Sequence, residues 1–157
     1  MRLYLVQHGE AVPEEVDPAR PLSETGRSDV AKAARFLAGG GVRVSQVLHS
    51  GKLRAEQTAA LLAAALAPGR RPVARPGLNP KDPTDDIARA VAVWDQDSML
   101  VGHLPFMARL AGRLVAGRDD AGVVAFQPGT ILCLERGEQQ RWTIAWMVRP
   151  DVLPNSA

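Results

Sequence analysis

The apolar and polar positions of this chain alternate between short strand-like runs and longer segments with helical periodicity. Residues 2–6 form an apolar run typical of a buried strand, and a polar loop containing prolines follows as far as Pro21. Ser23 is a favourable N-cap for a helix. That helix is predicted to end near Ala38, because the three consecutive glycines 39–41 come next.

The rest of the chain continues this alternation of strands and helices. The pattern predicts a strand over 44–49, a helix over 52–66, a weaker strand near Val73, a helix starting at Asp82-Pro83, a strand over 99–103, a helix opened by Pro105, and β-rich runs at 123–127, 130–135 and 141–148. We therefore expect an α/β fold: a three-layer sandwich with a mainly parallel central sheet flanked by helices.

Length and composition favour one globular domain. The chain has 157 residues, with 46% hydrophobic and 23% charged residues, so we expect a single domain over 1–157 with a loose tail over about 149–157. The single cysteine, Cys133, excludes an internal disulfide and fits a reducing compartment.

The sequence also argues against a membrane or nucleic-acid partner. The longest apolar stretch, 59–67, is too short to span a bilayer, and the first residues lack a signal-peptide core. The formal charge of +2 and the few aromatic residues do not favour nucleic-acid binding. We expect a cytoplasmic monomer.

The three histidines stand at or just beyond the carboxyl ends of predicted strands. They are His8, His49 and His103. Ligands of open α/β sheets bind in the crevice beyond these strand ends. Gly9 and Gly102 adjoin two of the histidines and would allow close backbone approach to a bound group, whereas His49 has no such neighbour and is expected to pack or cap.

Arginines near two predicted helix starts indicate an anion as the ligand. Arg54 lies where the chain passes from strand into helix, at a place that favours anions through free N–H groups and the helix dipole. Its guanidinium can bind two phosphoryl oxygens. Arg20 precedes another helix start and could line the same mouth.

Three segments resemble motifs of the histidine phosphatase superfamily, which has the phosphoglycerate-mutase-like fold. Residues 6–10 (Val-Gln-His-Gly-Glu) resemble its Arg-His-Gly signature, residues 50–59 resemble its Ser-Pro-x-x-Arg-Ala-x-x-Thr-Ala segment, and residues 101–103 resemble its second histidine motif. The short length and the runs at 20–26 and 102–105 look most like the SixA-type phosphohistidine phosphatases. The resemblance extends to about Val148.

This resemblance implies a metal-independent phosphatase that needs no cofactor. His8 is implied to be the nucleophile that becomes phosphorylated, while Arg54 and His103 bind the phosphoryl oxygens. The other expected phosphate-binding residues are Gln7, Gly9, Arg20 and Ser50. The implied reaction removes a phosphoryl group from a protein histidine, and the implied partner is a phosphoprotein of the histidine-containing phosphotransfer type.

The chain departs from the family pattern at two points. Gln7 replaces the signature arginine and so loses a positive charge and a rigid fork of donors, although Arg20 or Lys52 could compensate. The sequence contains no confident proton donor, because Glu10 also fits a solvated loop residue and Asp82 also fits a helix cap. A phosphohistidine substrate needs less help, since its leaving imidazole can already carry a proton.

Three other functions stay open on the sequence alone. The same pocket would suit a small-molecule phosphomonoesterase acting on a small phosphate ester. The replacement at Gln7 also suits a weakly active or non-catalytic phosphoprotein-binding module. A zinc hydrolase using the three histidines is the least favoured, because no closely spaced histidine pair is present.

Overall fold

A computed structural model describes residues 1–155 and contains one six-stranded sheet. In chain order the strands are β1 (Arg2–Gln7), β2 (Gln46–His49), β3 (Val73–Ala74), β4 (Ser98–Gly102), β5 (Ile131–Arg136) and β6 (Trp142–Val148). Their order across the sheet is β3-β2-β4-β1-β5-β6. The first four strands in that order are parallel, while β5 and β6 are antiparallel to their neighbours. The predicted mainly parallel sheet is therefore confirmed.

Four helices cover the two faces of the sheet. They are α1 (Glu24–Gly39), α2 (Leu53–Leu66), α3 (Asp85–Val93) and α4 (Phe106–Ala116). One hydrophobic core joins α1 and α2 to the sheet, and a second joins α3 and α4 to its other face. The three-layer sandwich is thus confirmed. Within residues 1–155, no helix combines the length and the apolar character needed to cross a bilayer.

Strand β1 shows how the sequence creates these two cores. Successive side chains of a strand point to opposite faces, so Leu3 and Leu5 join the core of α3 and α4, and Tyr4 and Val6 join that of α1 and α2. All four are at most 1% exposed. Full burial of each contributes about 1.5–3 kcal/mol, which fixes the strand that leads into His8.

One predicted helix start is confirmed and another is wrong. Ser23 caps α1 as predicted, because its Oγ accepts the Gly26 N–H at 3.0 Å. Helix α3 starts at Asp85 and not at Asp82-Pro83. Asp82 instead closes a turn, in which its Oδ2 accepts the Asn79 N–H at 2.9 Å.

One further segment differs from the sequence-based expectations. Residues 123–127 form no strand, although Val123, Val124 and Phe126 pack against the core of α3 and α4. In the expected tail, residues 150–152 form a 3₁₀ turn with Pro150 buried, and Leu153 packs on the core of α1 and α2. Ser156 and Ala157 lie outside the described residues.

Candidate active site

The sheet brings His8 and His103 together at the carboxyl ends of β1 and β4. These strands are parallel neighbours, and Gln7 pairs with Gly102 in their register. The His8 N–H donates to the Gly102 carbonyl oxygen at 3.0 Å. The two imidazole rings consequently lie 5.0 Å apart between centroids.

The surroundings of His8 leave a nitrogen with a free lone pair. Its Nδ1 lies 2.7 Å from the Gly9 carbonyl oxygen, which can only accept, so Nδ1 carries the proton and Nε2 is unprotonated. Burial, together with the charges of Arg54 and Arg20, lowers the pKa of His8 to about 4 despite that hydrogen bond. At neutral pH the imidazole is uncharged and Nε2 is available as a nucleophile.

His103 is held by Ser50. Its Nε2 lies 2.6 Å from Ser50 Oγ, which also accepts the Lys52 N–H at 3.3 Å. The Ser50 hydroxyl has a proton that it can donate to Nε2, and in that arrangement the neutral ring carries its own proton on Nδ1. Nδ1 is buried and has no hydrogen-bond partner in the described residues. Burial, followed by the charges of His8 and nearby cations, lowers the pKa of His103 to about 3.

Ser50 lies at the site through its contact with His103. Its hydroxyl is engaged with the side chain of His103 and the backbone of Lys52. Ser50 therefore orients His103, and phosphate binding by Ser50 itself stays a prediction.

Three cations surround this histidine pair. Arg54 lies in the first turn of α2, with its Nε buried and without a hydrogen-bond partner in the described residues. Burial and the charge of Arg20 lower the pKa of Arg54. Arg20 and Lys52 each help to lower the pKa of His103. Because these groups repel each other in the empty site, an anion bound among them would be strongly favoured.

Arg20 has an unusual backbone conformation, and its side chain is anchored by a hydrogen bond to the backbone of Val12. Its φ is 49°, which is uncommon for a residue with a side chain, and its Nε donates to the Val12 carbonyl oxygen at 3.1 Å. Such local strain persists where the surrounding structure imposes it, and it clusters at functional sites. The charge of Arg20 contributes to the lowered pKa of His8, so Arg20 lies near the same mouth, and phosphate binding by Arg20 stays a prediction.

The two glycines beside the histidines lie where neighbouring helices pack closely against the strand ends. A Cβ on Gly9 would stand 2.8 Å from Val30 Cγ2, and one on Gly102 would stand 2.7 Å from Met107 Cε. Helix packing alone therefore accounts for these glycines, and the close backbone approach of a bound group stays a prediction. The glycines allow α1 and α4 to approach the strand ends closely.

Thr58 is a structural residue of the site that the sequence analysis missed. Its Oγ1 accepts the Gly9 N–H at 3.0 Å and donates to the Arg54 carbonyl oxygen at 2.8 Å. The side chain is fully buried. This pair of hydrogen bonds ties the His8 loop to α2, and the available signal was the threonine of the motif at residues 50–59, which falls at position 58.

Gln7 places a neutral amide where the family signature has a guanidinium. The residue is 9% exposed, and its Oε1 has no hydrogen-bond partner in the described residues. The strand register sets Gln7 directly beside Gly102 and hence next to His103.

The two candidate proton donors form hydrogen bonds with groups other than the two histidines. Glu10 is exposed and its Oε2 accepts a hydrogen bond from the Ser23 hydroxyl at 3.1 Å, and Asp82 closes its own turn. The charges that shift the pKa values of His8, His103 and Arg54 are all positive. In the part of the chain that the structure describes, neither Glu10 nor Asp82 is hydrogen-bonded to His8 or His103.

The third histidine has a local role, as expected. His49 Nδ1 accepts the Gly51 N–H at 3.0 Å and so caps the turn after β2. Across residues 1–155, no three His, Cys, Asp or Glu side chains are grouped to hold a metal ion. The described residues therefore lack the ligand set that a zinc hydrolase requires.

Comparisons with known proteins agree with the fold and with the order of the motifs. The sequence model of the histidine phosphatase superfamily (branch 1) matches residues 3–80. An uncharacterised protein of Picosynechococcus sp. is 30% identical over 143 residues, which cover 82% of this chain and 86% of that protein. Phosphohistidine phosphatase SixA of Escherichia coli K12 is 24% identical over 155 residues, covering 96% of this chain and 94% of SixA.

The fold also matches a solved structure. The protein histidine phosphatase SixA, complexed with tungstate, superimposes with a TM-score of 0.85 at 24% identity, covering 96% of this chain and 98% of that one. The chain belongs to the histidine phosphatase superfamily (branch 1) and is a phosphatase whose fold matches that of SixA.

Proposed function

We propose that this phosphatase hydrolyses a phosphoryl group carried on a protein histidine, through a phosphorylated His8. One observation carries the choice of substrate: Glu10 and Asp82 are engaged by other groups, and no carboxylate is hydrogen-bonded to His8 or His103 in the described residues. An alkoxide leaving from a phosphate ester requires a proton donor, whereas an imidazole that is already protonated leaves as a neutral ring. The site therefore suits a nitrogen leaving group.

The reaction takes two displacements at phosphorus. In the first, His8 Nε2 attacks phosphorus while the P–N bond to the substrate breaks, and the bond electrons stay with the departing imidazole. In the second, water attacks the phosphorylated His8, the P–Nε2 bond breaks, and orthophosphate leaves with the proton balance restored by the solvent. The Gly9 carbonyl stabilises the Nδ1 proton while His8 carries the phosphoryl group.

The surrounding donors stabilise the phosphoryl oxygens during each displacement. Phosphoryl transfer depends mainly on in-line positioning and on positive charge near the equatorial oxygens. Arg54 supplies a guanidinium, His103 a neutral Nδ1–H, and Arg20 a further charge. The free donors at Arg54 Nε and His103 Nδ1 support this assignment. The relative named phosphohistidine phosphatase SixA supports the substrate class.

The test compares substrates and traps the intermediate. Wild type and His8→Ala are assayed on a ³²P-labelled histidine-containing phosphotransfer domain, p-nitrophenyl phosphate and a sugar phosphate. We expect the phosphoprotein to be preferred and label to be trapped on wild type, with turnover lost in a folded His8→Ala because the nucleophile is gone.

Each alternative has its own result in this experiment. Retention of about a tenth of wild-type activity in His8→Ala would contradict the covalent mechanism. A preference for a phosphate ester would indicate a small-molecule phosphomonoesterase. Binding of the phosphoprotein without trapped label would indicate a non-catalytic module.

A further inference from the structure

A cavity of about 780 Å³ lies on the α1 side of the sheet, between α1, β6 and the segment that follows β6. Its walls are mostly apolar side chains from the end of α1, the turn after it, β6 and the tail: Phe36, Leu37, Val42, Trp146, Val148 and Leu153. Sites for small organic ligands have volumes of about 300–1,000 Å³ and walls of this kind. We call this space the α1 cavity.

The α1 cavity is separate from the histidine pair. Arg2 lines the cavity and opens β1, whereas His8 follows the last residue of that strand. The stretch of extended chain between them corresponds to about 20 Å. His8, Arg54 and His103 are not among the residues that line the cavity. A molecule bound there would leave the phosphoryl site free.

Every charged side chain that lines the α1 cavity in the described residues is a cation. These side chains are Arg2, Lys32 and Arg35. The Arg2 Nη2 already pairs with Glu135 Oε1 at 2.9 Å, but Arg35 forms no ion pair in the part of the chain that the structure describes. The cavity therefore combines apolar walls with an excess of positive charge, which favours a ligand that carries a negative charge.

Lys32 is a nearly buried cation with few partners. It is only 9% exposed. Its Nζ donates to Asn155 Oδ1, a neutral acceptor, at 3.3 Å, and it lies 4.0 Å from Asp29 Oδ1, which is beyond hydrogen-bond distance. An ammonium has three donors, so most of them have no acceptor among residues 1–155. A buried charge is unfavourable unless it is paired and hydrogen-bonded, and a carboxylate in the cavity would supply both.

We propose that the α1 cavity binds a small amphipathic carboxylate of the medium-chain fatty acid class, with its apolar chain against Phe36 and Trp146 and its carboxylate on Lys32. An uncharged apolar molecule would leave the ammonium without an acceptor, and a hydrophilic anion would leave the apolar walls in water. Phe36 is 53% exposed in the structure, so a bound chain would also cover apolar surface there. This ligand site goes beyond the proposed function and does not depend on it.

Binding is measured directly, with octanoate as the probe. Calorimetry gives its Kd on wild type, while octanol and acetate are probes that have only the apolar chain or only the carboxylate. We expect octanoate to bind with a Kd below about 1 mM, and each of the other two to bind roughly tenfold more weakly or worse.

Trp146 supplies a second signal from within the cavity. Because its ring lines the cavity, tryptophan fluorescence should change when octanoate binds. In Trp146→Phe the fluorescence change should be strongly reduced while the calorimetric signal remains. A fluorescence change of wild-type size in Trp146→Phe would place the bound octanoate elsewhere and so overturn the proposal.

Two variants separate the charge from the apolar walls. Lys32→Met keeps an unbranched apolar stem and removes the charge, so its affinity for octanoate should fall roughly tenfold without any loss of affinity for octanol. Phe36→Ala removes apolar contact and should weaken both probes by roughly threefold to tenfold. Arg71→Met is the matched control and should bind both probes like wild type, because Arg71 is exposed, forms no ion pair in the described residues and does not line the cavity.

Several other results would overturn the proposal. One is the absence of any calorimetric signal with octanoate, and another is an equal affinity of wild type for octanoate and octanol. An equal loss of octanoate affinity in Lys32→Met and Arg71→Met would indicate a net-charge effect. Octanoate binding only in a variant that lacks Ser156 and Ala157 would make the end of this chain the occupant. Self-association that Phe36→Ala abolishes, without octanoate binding, would assign the cavity to a second copy of the chain.

Hydrolysis of p-nitrophenyl phosphate serves as the control for folding. All four variants should hydrolyse it like wild type, because the substituted residues lie outside the phosphoryl site. The comparison of octanoate with octanol is made on wild type and needs no variant and no turnover. It therefore decides the charge requirement of the cavity whether or not the proposed function holds.

Discussion

The two central histidines carry their protons in positions that suit different tasks. The Gly9 carbonyl fixes the proton of His8 on Nδ1 and leaves Nε2 free. Ser50 holds Nε2 of His103, and when its hydroxyl donates there the ring carries its proton on Nδ1, which has no partner in the described residues. Both rings are neutral near pH 7, because burial lowers their pKa values. One ring can therefore attack phosphorus while the other donates to its oxygens.

Replacing Ser50 should disturb the proton position on His103. In Ser50→Ala the hydroxyl that holds Nε2 is lost, so part of the population should move the ring proton to Nε2. We expect kcat/KM to fall roughly tenfold, the equivalent of about 1.4 kcal/mol in the transition state. The measurement is the ¹⁵N chemical shifts of His103 together with kinetics.

A conservative variant serves as the control for this experiment. Ser50→Thr keeps a hydroxyl and should keep both the Nδ1–H tautomer and most of the activity. If Ser50→Ala showed wild-type ¹⁵N shifts, the hydroxyl would not determine the tautomer of His103.

Gln7→Arg tests whether the missing signature arginine weakens the pocket. Hydrogen bonds to charged groups contribute about 1.5–3 kcal/mol against about 1 for neutral ones, so orthovanadate affinity and the rate on an aryl phosphate should rise roughly ten- to a hundredfold. The new guanidinium would also lie among the charges of Arg54 and Arg20, so we expect a lower Tm without ligand and a larger rise in Tm with vanadate.

Gln7→Met controls for the loss of the buried amide. It removes the unpartnered Oε1 without adding charge, so vanadate affinity should not increase. A clear drop in both vanadate affinity and rate in Gln7→Arg would show that Arg20 or Lys52 already supplies the missing charge.

The sequence predicted the placement of the chemical groups better than their contacts. His8 and His103 lie together because each directly follows a strand, and adjacent parallel strands end at one edge of the sheet. The partners of Ser50 and Gly9 depend on how helices pack over the strand ends, to within an ångström. No pattern of residue types encodes distances at that precision.

At the level of secondary structure, Thr58 joins α2 to the loop that carries His8. Thr58→Val preserves the shape of the side chain but leaves the buried Gly9 N–H without an acceptor. An unsatisfied buried donor costs about 1–3 kcal/mol, so we expect a loss of that size in the free energy of unfolding. Activity should also fall, because His8 loses its position relative to Arg54. Urea denaturation and kcat/KM measure the two effects.

Thr58→Ser is the matched control for this link. It retains the hydroxyl and loses only a methyl group, so the Gly9 hydrogen bond and most of the activity should remain. Equal losses in Thr58→Ser and Thr58→Val would assign the effect to packing.

Helices and strands with a clear end signal were predictable, and irregular buried segments were not. Ser23 marked the start of α1 because its hydroxyl caps a free N–H of the first turn. Residues 123–127 resemble a strand in composition because Val123, Val124 and Phe126 are apolar, and in the structure these side chains are partly buried. An apolar run in a packed loop has the same composition as a buried strand, so periodicity alone does not separate them.

At the scale of the whole molecule, the candidate site brings together buried histidines and cations that form no ion pair in the described residues. Burial lowers the pKa values of His8, His49 and His103. The charges that contribute to the pKa shifts of His8 and His103 are those of positive groups. A bound anion would offset the repulsion between these cations, and only the folded protein forms the site that binds it. Phosphate or vanadate should therefore raise the stability of the whole fold as well as occupy the site.

The pH dependence of stability follows from the same histidines. Their ordinary pKa is 6.5, and in the fold it is about 4 for His8 and about 3 for His103. Between pH 6.5 and about 4 the unfolded chain binds protons that the folded protein excludes. The free energy of unfolding should therefore fall as pH drops through this window, by at most about 1.4 kcal/mol per pH unit for each proton. The solvent exposure of His8 keeps its contribution below that limit.

Urea denaturation at a series of pH values gives the slope of the free energy of unfolding against pH. The variant His8→Asn/His103→Asn should show a shallower slope because two titrating bases are gone. Parallel pH profiles for the two proteins would show that acid sensitivity arises elsewhere in the fold.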